Sequence, residues 1–156
     1  MAATKAKTEF LRYEFKYLLR NELRDAVEAE LGHFMDYDPF VAVQPERKYY
    51  VRSLYFDDAQ NTAFYDKIDG MVSRKKFRLR TYSLVPDQHT PIFLEQKGRH
   101  NNLVVKHRTP LDDVANAEIA SPTKRITSLI MDHAEKGFVL DRFQYDLFKK
   151  GIRPVA

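Results

Sequence analysis

Residues Arg74 to Tyr82 read Arg-Lys-Lys-Phe-Arg-Leu-Arg-Thr-Tyr. On a β-strand, successive side chains point to opposite faces. Arg74, Lys76, Arg78, Arg80 and Tyr82 then share one face, and Lys75, Phe77, Leu79 and Thr81 share the other. Cations two residues apart on a strand face sit roughly 7 Å from each other and repel. A sheet face built this way calls for anions. One reading is a site for a polyanion, most simply a chain of phosphates. The other is a solvated strand whose charges pair with carboxylates elsewhere.

The distribution of charge bears on that choice. Formal net charge is only +4 over 156 residues. Between Arg74 and Arg108, however, nine basic residues face two acids, Asp87 and Glu95. Concentrated charge attracts anions better than diffuse charge. Apolar content of 44% suits a domain with a real core. Without cysteine there is no disulfide or thiolate chemistry. The first ten residues show no signal-peptide core, and no apolar run approaches the roughly 18 residues of a membrane helix. These features lead to the expectation of a cytoplasmic protein.

Local patterns give an α+β chain with an antiparallel sheet and flanking helices. Residues 1–8 read as a flexible tail and 9–156 as a single domain. Alternation of Tyr13, Phe15 and Tyr17 with Arg12, Glu14 and Lys16 predicts a strand over 11–19. Asn21 caps a helix reaching about Met35, and its apolar stripe of Leu23, Ala26, Val27, Leu31, Phe34 and Met35 is assigned to core packing. Further strands are expected over 49–56, 72–84, 91–97 and 103–108, the last ended by Pro110. A short helical turn falls within 58–69 and a reversal over Gly98 to Asn102. Ser121-Pro122 opens one helix. Gly137 separates it from another, which carries Leu140, Phe143, Leu147 and Phe148 and is closed by Gly151.

The charged faces of these strands gather Arg12, Glu14, Lys16, Arg52, Arg74, Lys76, Arg78, Arg80, Glu95, Lys97, Lys106 and Arg108. An ordinary solvated face mixes signs and carries Thr, Ser and Gln. If the strands curl together, these residues line a channel that requires an anion, because unpaired buried cations are very costly. Arginine forks suit phosphate oxygens, and lysine acts as a point charge. Arg74, Lys76, Arg78, Arg80, Lys97, Lys106 and Arg108 are therefore the candidate phosphate contacts. Walker-type and Gly-x-Gly-x-x-Gly loops are missing, as is His-Glu-x-x-His zinc spacing. His107 reads as a packed residue. Nucleic-acid binding competes on charge alone, but no recognition signature accompanies it.

Several blocks resemble a known family. They are Arg12-Tyr13-Glu14-Phe15-Lys16-Tyr17, Ser53-Leu54-Tyr55-Phe56-Asp57, Tyr65 with Lys67 and Gly70, the stretch from Arg74 to Tyr82, Leu94-Glu95-Gln96-Lys97, and Lys106-His107-Arg108. In order and spacing they are similar to the VTC domain, the polyphosphate polymerase branch of the CYTH-like triphosphate tunnel metalloenzymes. The resemblance covers about residues 9–155. It implies an antiparallel tunnel barrel that binds ATP and polyphosphate and transfers the terminal phosphoryl of ATP to the chain, aided by Mn²⁺ or Mg²⁺. Lys16, Arg78, Arg80 and Lys97 would then be catalytic, with Lys16 and Lys106 also among the phosphate contacts. Glu95 and Glu14 would be the candidate metal ligands.

In other branches of the superfamily the first strand begins Glu-x-Glu-x-Lys. Here Arg12 stands at the first Glu, which weakens a metal site on that strand. The later strands of the family are not in this sequence, so the expectation is a domain truncated to roughly the first half of a barrel. A non-catalytic polyphosphate-binding module is the alternative reading. A half-barrel exposes strand edges, so a homo-oligomer or a complementing chain is expected. The family also suggests a membrane-protein partner.

Overall fold

A computed structural model describes residues 9–13, 15–44, 48–83, 90–113, 115 and 125–155. The chain divides into two compact units, one built from the sheet and its helices and one from residues 15–50.

Among the described residues the first unit holds six strands: β1 (Glu9–Tyr13), β2 (Arg52–Asp57), β3 (Ser73–Thr81), β4 (Ile92–His100), β5 (Leu103–Pro110) and β6 (Arg153–Val155). Every pairing is antiparallel, in the spatial order β1-β5-β4-β3-β2-β6. The sheet is open, with β1 and β6 as its edges. The expected α+β antiparallel architecture is therefore present, but the described strands form an open sheet and not a closed tunnel.

The basic strand and its neighbours fall close to the expected positions. The reversal between β4 and β5 falls within the expected 98–102 but is confined to its last two residues. Gly98 lies inside β4, opposite Lys75 on one side and Val105 on the other. The chain turns instead at Asn101-Asn102, where Asn101 takes a left-handed φ of 52°. Asparagine tolerates that conformation, and two-residue hairpin turns favour it. Glycine was a misleading marker here because it also fits extended backbone.

Odd-numbered residues of β3 and even-numbered residues of β2 and β4 form the apolar face. Phe56, Phe77, Leu79, Ile92 and Leu94 are buried there with Ile130, Val139, Leu140, Phe143 and Ile152. Two helices supply the covering layer, Ile126–His133 (α4) and Phe138–Lys150 (α5). Val139, Leu140, Phe143 and Leu147 recur at helical spacing, so one stripe of α5 meets the sheet. Phe143 is fully buried and meets Phe56 and Phe77 edge to face, at centroid distances of 5.1 and 5.5 Å. Gly151 ends α5 with φ 62° and donates its N–H to the Leu147 carbonyl. Lys149 and Lys150 sit in the last turn, where the helix dipole favours cations. The expected helix start at Ser121-Pro122 lies outside the described residues.

The short helix Thr62–Ile68 (α3) is held from outside itself. Asp57 accepts the N–H groups of Ala63 and Phe64, and Asp58 accepts that of Thr62. The carboxylates thus meet donors that a helix start leaves orphaned. The hydrogen bond from the Thr62 side chain, with those from the backbone, holds the Asp58 carboxyl below its ordinary value.

In the second unit, Asn21–Leu23 forms a single 3₁₀ turn that leads into α1 (Arg24–Leu31), and Pro39–Ala42 forms α2. The apolar stripe assigned to core packing is not buried; no residue of α1 is. Leu31, Phe34 and Met35 are exposed. The first strand also ends earlier than its alternation suggested. Tyr13 pairs with Leu103, the first residue of β5, so β1 has no partner strand beyond that point. Residues 15–20 form no regular element.

Candidate functional site

Cross-strand register assembles a site on the face of the sheet opposite α4 and α5. Arg74, Lys76, Arg78 and Arg80 of β3 stand beside Arg99, Lys97, Glu95 and Phe93 of β4. Lys97 and Glu95 stand in turn beside Lys106 and Arg108 of β5. On these three strands the face carries eight cations, including Arg99, and one carboxylate. Lys76, Lys97 and Lys106 form a single row across three neighbouring strands. Like charges directly opposite one another destabilise a sheet.

Glu95 sits at the centre of the face and is fully buried. Its Oε2 accepts from Nε of Arg78 at 2.7 Å and lies 2.6 Å from Nη2 of the same guanidinium. Arg80 Nε is 4.0 Å from that oxygen, and Lys106 Nζ is 3.8 Å from Oε1. Oε1 itself has no hydrogen-bond partner. Arg78 completes its contacts by donating Nη1 to the Tyr55 hydroxyl at 3.3 Å. Burial works against the charged guanidinium, but the Tyr55 hydrogen bond and Glu95 outweigh it, so the Arg78 pKa is raised. Burial also pushes the Tyr55 phenol up. The Arg78 hydrogen bond, with the charges of Arg78, Lys76 and Arg80, brings it below its ordinary value.

The lysines move the other way. Burial lowers Lys76, and neighbouring Lys67, Lys97 and Arg78 add to that against the pull of Tyr55. Burial likewise lowers Lys106, aided by Arg108, Arg78 and Arg80 and opposed by Glu95. Both ammonium groups thus sit where burial disfavours their charge.

The other expected contacts take distinct places. Arg80 donates Nε to the Ser53 hydroxyl at 3.1 Å. The Arg108 guanidinium lies 4.5 Å over the Phe93 ring, and Tyr82 meets the same ring edge to face at 6.3 Å. Arg74 is drawn to the end of the sheet, where Nη1 donates to the Met71 carbonyl at 2.5 Å. Lys16 belongs to the 15–50 unit and lies on no strand. Glu14 lies outside the described residues, and so does the Arg12 side chain.

One face assignment changes. Arg52 pairs with Thr81 in register and so belongs to the opposite face. Tyr55 and Ser53, not among the expected contacts, join the cationic face beside Arg78 and Arg80. Leu54 and Phe56 carried the signal: once they face the core, Ser53 and Tyr55 must face away.

Among the described residues, the donor set of this face does not fit a resident divalent ion. Among the described residues no three His, Asp or Glu gather to hold a metal. Glu95 offers a carboxylate already engaged by Arg78 and crowded by Arg80 and Lys106. A hard cation wants oxygen ligands, not ammonium neighbours. The face instead gathers eight cations around that one carboxylate.

The sequence profile of the VTC domain matches residues 11–156. The chain belongs to the VTC domain family. A search among curated proteins gave no significant match. No helix among the described residues of this VTC domain is long and apolar enough to cross a membrane.

Proposed function

We propose that the cationic face of this VTC domain binds chains of linked phosphates and serves ATP-dependent phosphoryl transfer of the polyphosphate polymerase kind. The observation that carries this reading is the row of Lys76, Lys97 and Lys106 in cross-strand register. A polyphosphate presents negative charge at close, regular intervals and would neutralise the row along its length. In the transfer itself, the bond from the terminal phosphorus of ATP to its bridging oxygen breaks. A terminal oxygen of the polyphosphate forms the new bond, and ADP leaves. Such reactions need positioning and charge stabilisation more than covalent help. Arg80, Lys97 and Lys106 would meet the spread charge of the transferring group. Arg78 would be held in place by Glu95 and Tyr55. The open edges β1 and β6 favour enclosure of the face by a second copy or another polypeptide.

A second reading, a binding module without turnover, is favoured by the engagement of Glu95. With its carboxylate on Arg78, no described residue of the face is placed to bring in a divalent ion. Incubation with ATP and a short polyphosphate primer, with and without Mn²⁺, separates the two. Primer extension that is lost in Arg80→Ala supports transfer. Tight primer binding without extension assigns the domain to binding alone. Absence of both refutes the phosphate reading.

A further inference from the structure

The cationic face is not uniform along the strands. At one end stand Lys76, Lys97 and Lys106, and at the other a cluster of Phe93, Tyr82 and Arg108. Phe93 is a large apolar side chain on the charged side of β4, while its neighbours Ile92 and Leu94 turn to the helices. The Arg108 guanidinium stacks on its ring at 4.5 Å, and Tyr82 closes its edge. Arg80 stands directly beside Phe93 in register, with its Nε on Ser53, and Arg108 reaches the Phe93 ring from the row of Glu95, next to the lysine row.

We propose that Tyr82 and Arg108, supported by Phe93, form a platform for the base of a nucleoside triphosphate. The nucleotide would then lie along β3 with its base at Tyr82 and its terminal phosphate toward the lysine row. This inference rests on the phosphate-binding reading and adds to it a direction and a means of telling a nucleotide from inorganic phosphate chains. Planar rings and guanidinium groups stack on any base, so the platform selects for a base without choosing among bases. Tyr82 is six residues from Lys76, about 20 Å along an extended strand. That span accommodates a base, a sugar and three phosphates in line. Polyphosphate, lacking a base, gains nothing from the platform and would occupy the lysine end, where it would meet the terminal phosphate.

Calorimetric titration of the full chain with ATP and with inorganic triphosphate tests this, using wild type, Tyr82→Ala and Tyr82→Phe. Tyr82→Ala is expected to weaken ATP about tenfold, the scale of one lost base stack. Triphosphate affinity should stay within about twofold, and Tyr82→Phe should match wild type with both ligands. Unchanged triphosphate affinity also reports that the variant is folded. If Tyr82→Ala leaves ATP unaffected, or weakens both ligands equally, the platform is overturned while the phosphate site stands. If wild type binds neither ligand, the phosphate reading falls, and the platform with it.

Discussion

Replacing Glu95 by Gln should make this protein less stable and, at the same time, a better anion binder. Glu95 is fully buried, and the Arg78 side chain is 9% exposed. Two donors of Arg78 converge on one carboxylate oxygen, with Arg80 and Lys106 within 4.0 Å. Removing one partner of a buried pair costs about 3–5 kcal/mol. Glutamine keeps an acceptor for Arg78, so the lower end, about 3 kcal/mol, applies. For a domain of this size that lowers Tm by about 6–12 °C. The variant also removes the only negative charge on the face of the three central strands, so triphosphate should bind it more tightly than wild type. Thermal denaturation followed by circular dichroism, with and without triphosphate, reads both effects. The Tm gap between variant and wild type should narrow as triphosphate is added. A gap unchanged by triphosphate, or weaker triphosphate binding by Glu95→Gln, would refute the view that Glu95 is the internal counter-ion of an anion site.

Three further outcomes follow from the same geometry. Arg80→Ala should weaken triphosphate at least about tenfold, the scale of a lost charged hydrogen bond, with an unchanged circular dichroism spectrum; equal affinity would remove Arg80 from the site. Lys76 and Lys106 have lowered pKa values in the folded state, so between those values and the ordinary 10.5 the unfolded chain binds more protons. Stability from these two groups therefore rises with pH through that window, while triphosphate affinity falls. Titrations above neutral pH check both, and affinity that holds steady up to 10.5 would contradict the burial of these lysines. Asp57→Ala should cost about 1–2 kcal/mol through loss of the α3 cap, read by urea denaturation, without altering triphosphate affinity; an altered affinity would place Asp57 in the site.

Much of this was legible because strand alternation is a local signal. Arg74 to Tyr82 reveals its two faces without any knowledge of its neighbours, and the apolar partners Phe77 and Leu79 fix which face meets the core. Gly151 likewise marked the end of α5. What the sequence withheld was non-local. The early end of β1 depends on where β5 begins, ninety residues away. The ion pair between Arg78 and Glu95 depends on the register of β3 with β4, which two alternating strands leave open to slippage by pairs of residues. Arg52 was assigned to the charged face because its conspicuous charge outweighed the apolar pair Leu54 and Phe56. The stripe of α1 shows the opposite failure: helical periodicity identifies a helix, but not what its apolar side will meet.

We propose that the row of like charges on this sheet holds a phosphate chain. Isothermal calorimetry with inorganic triphosphate, first near 0.1 M salt and then near 1 M, tests it most directly, because the Debye length shrinks from about 10 to about 3 Å. Saturable binding is expected at the lower salt, weakening steeply at the higher. Absence of saturable binding at 0.1 M salt would contradict it and leave the cationic face as a solvated surface.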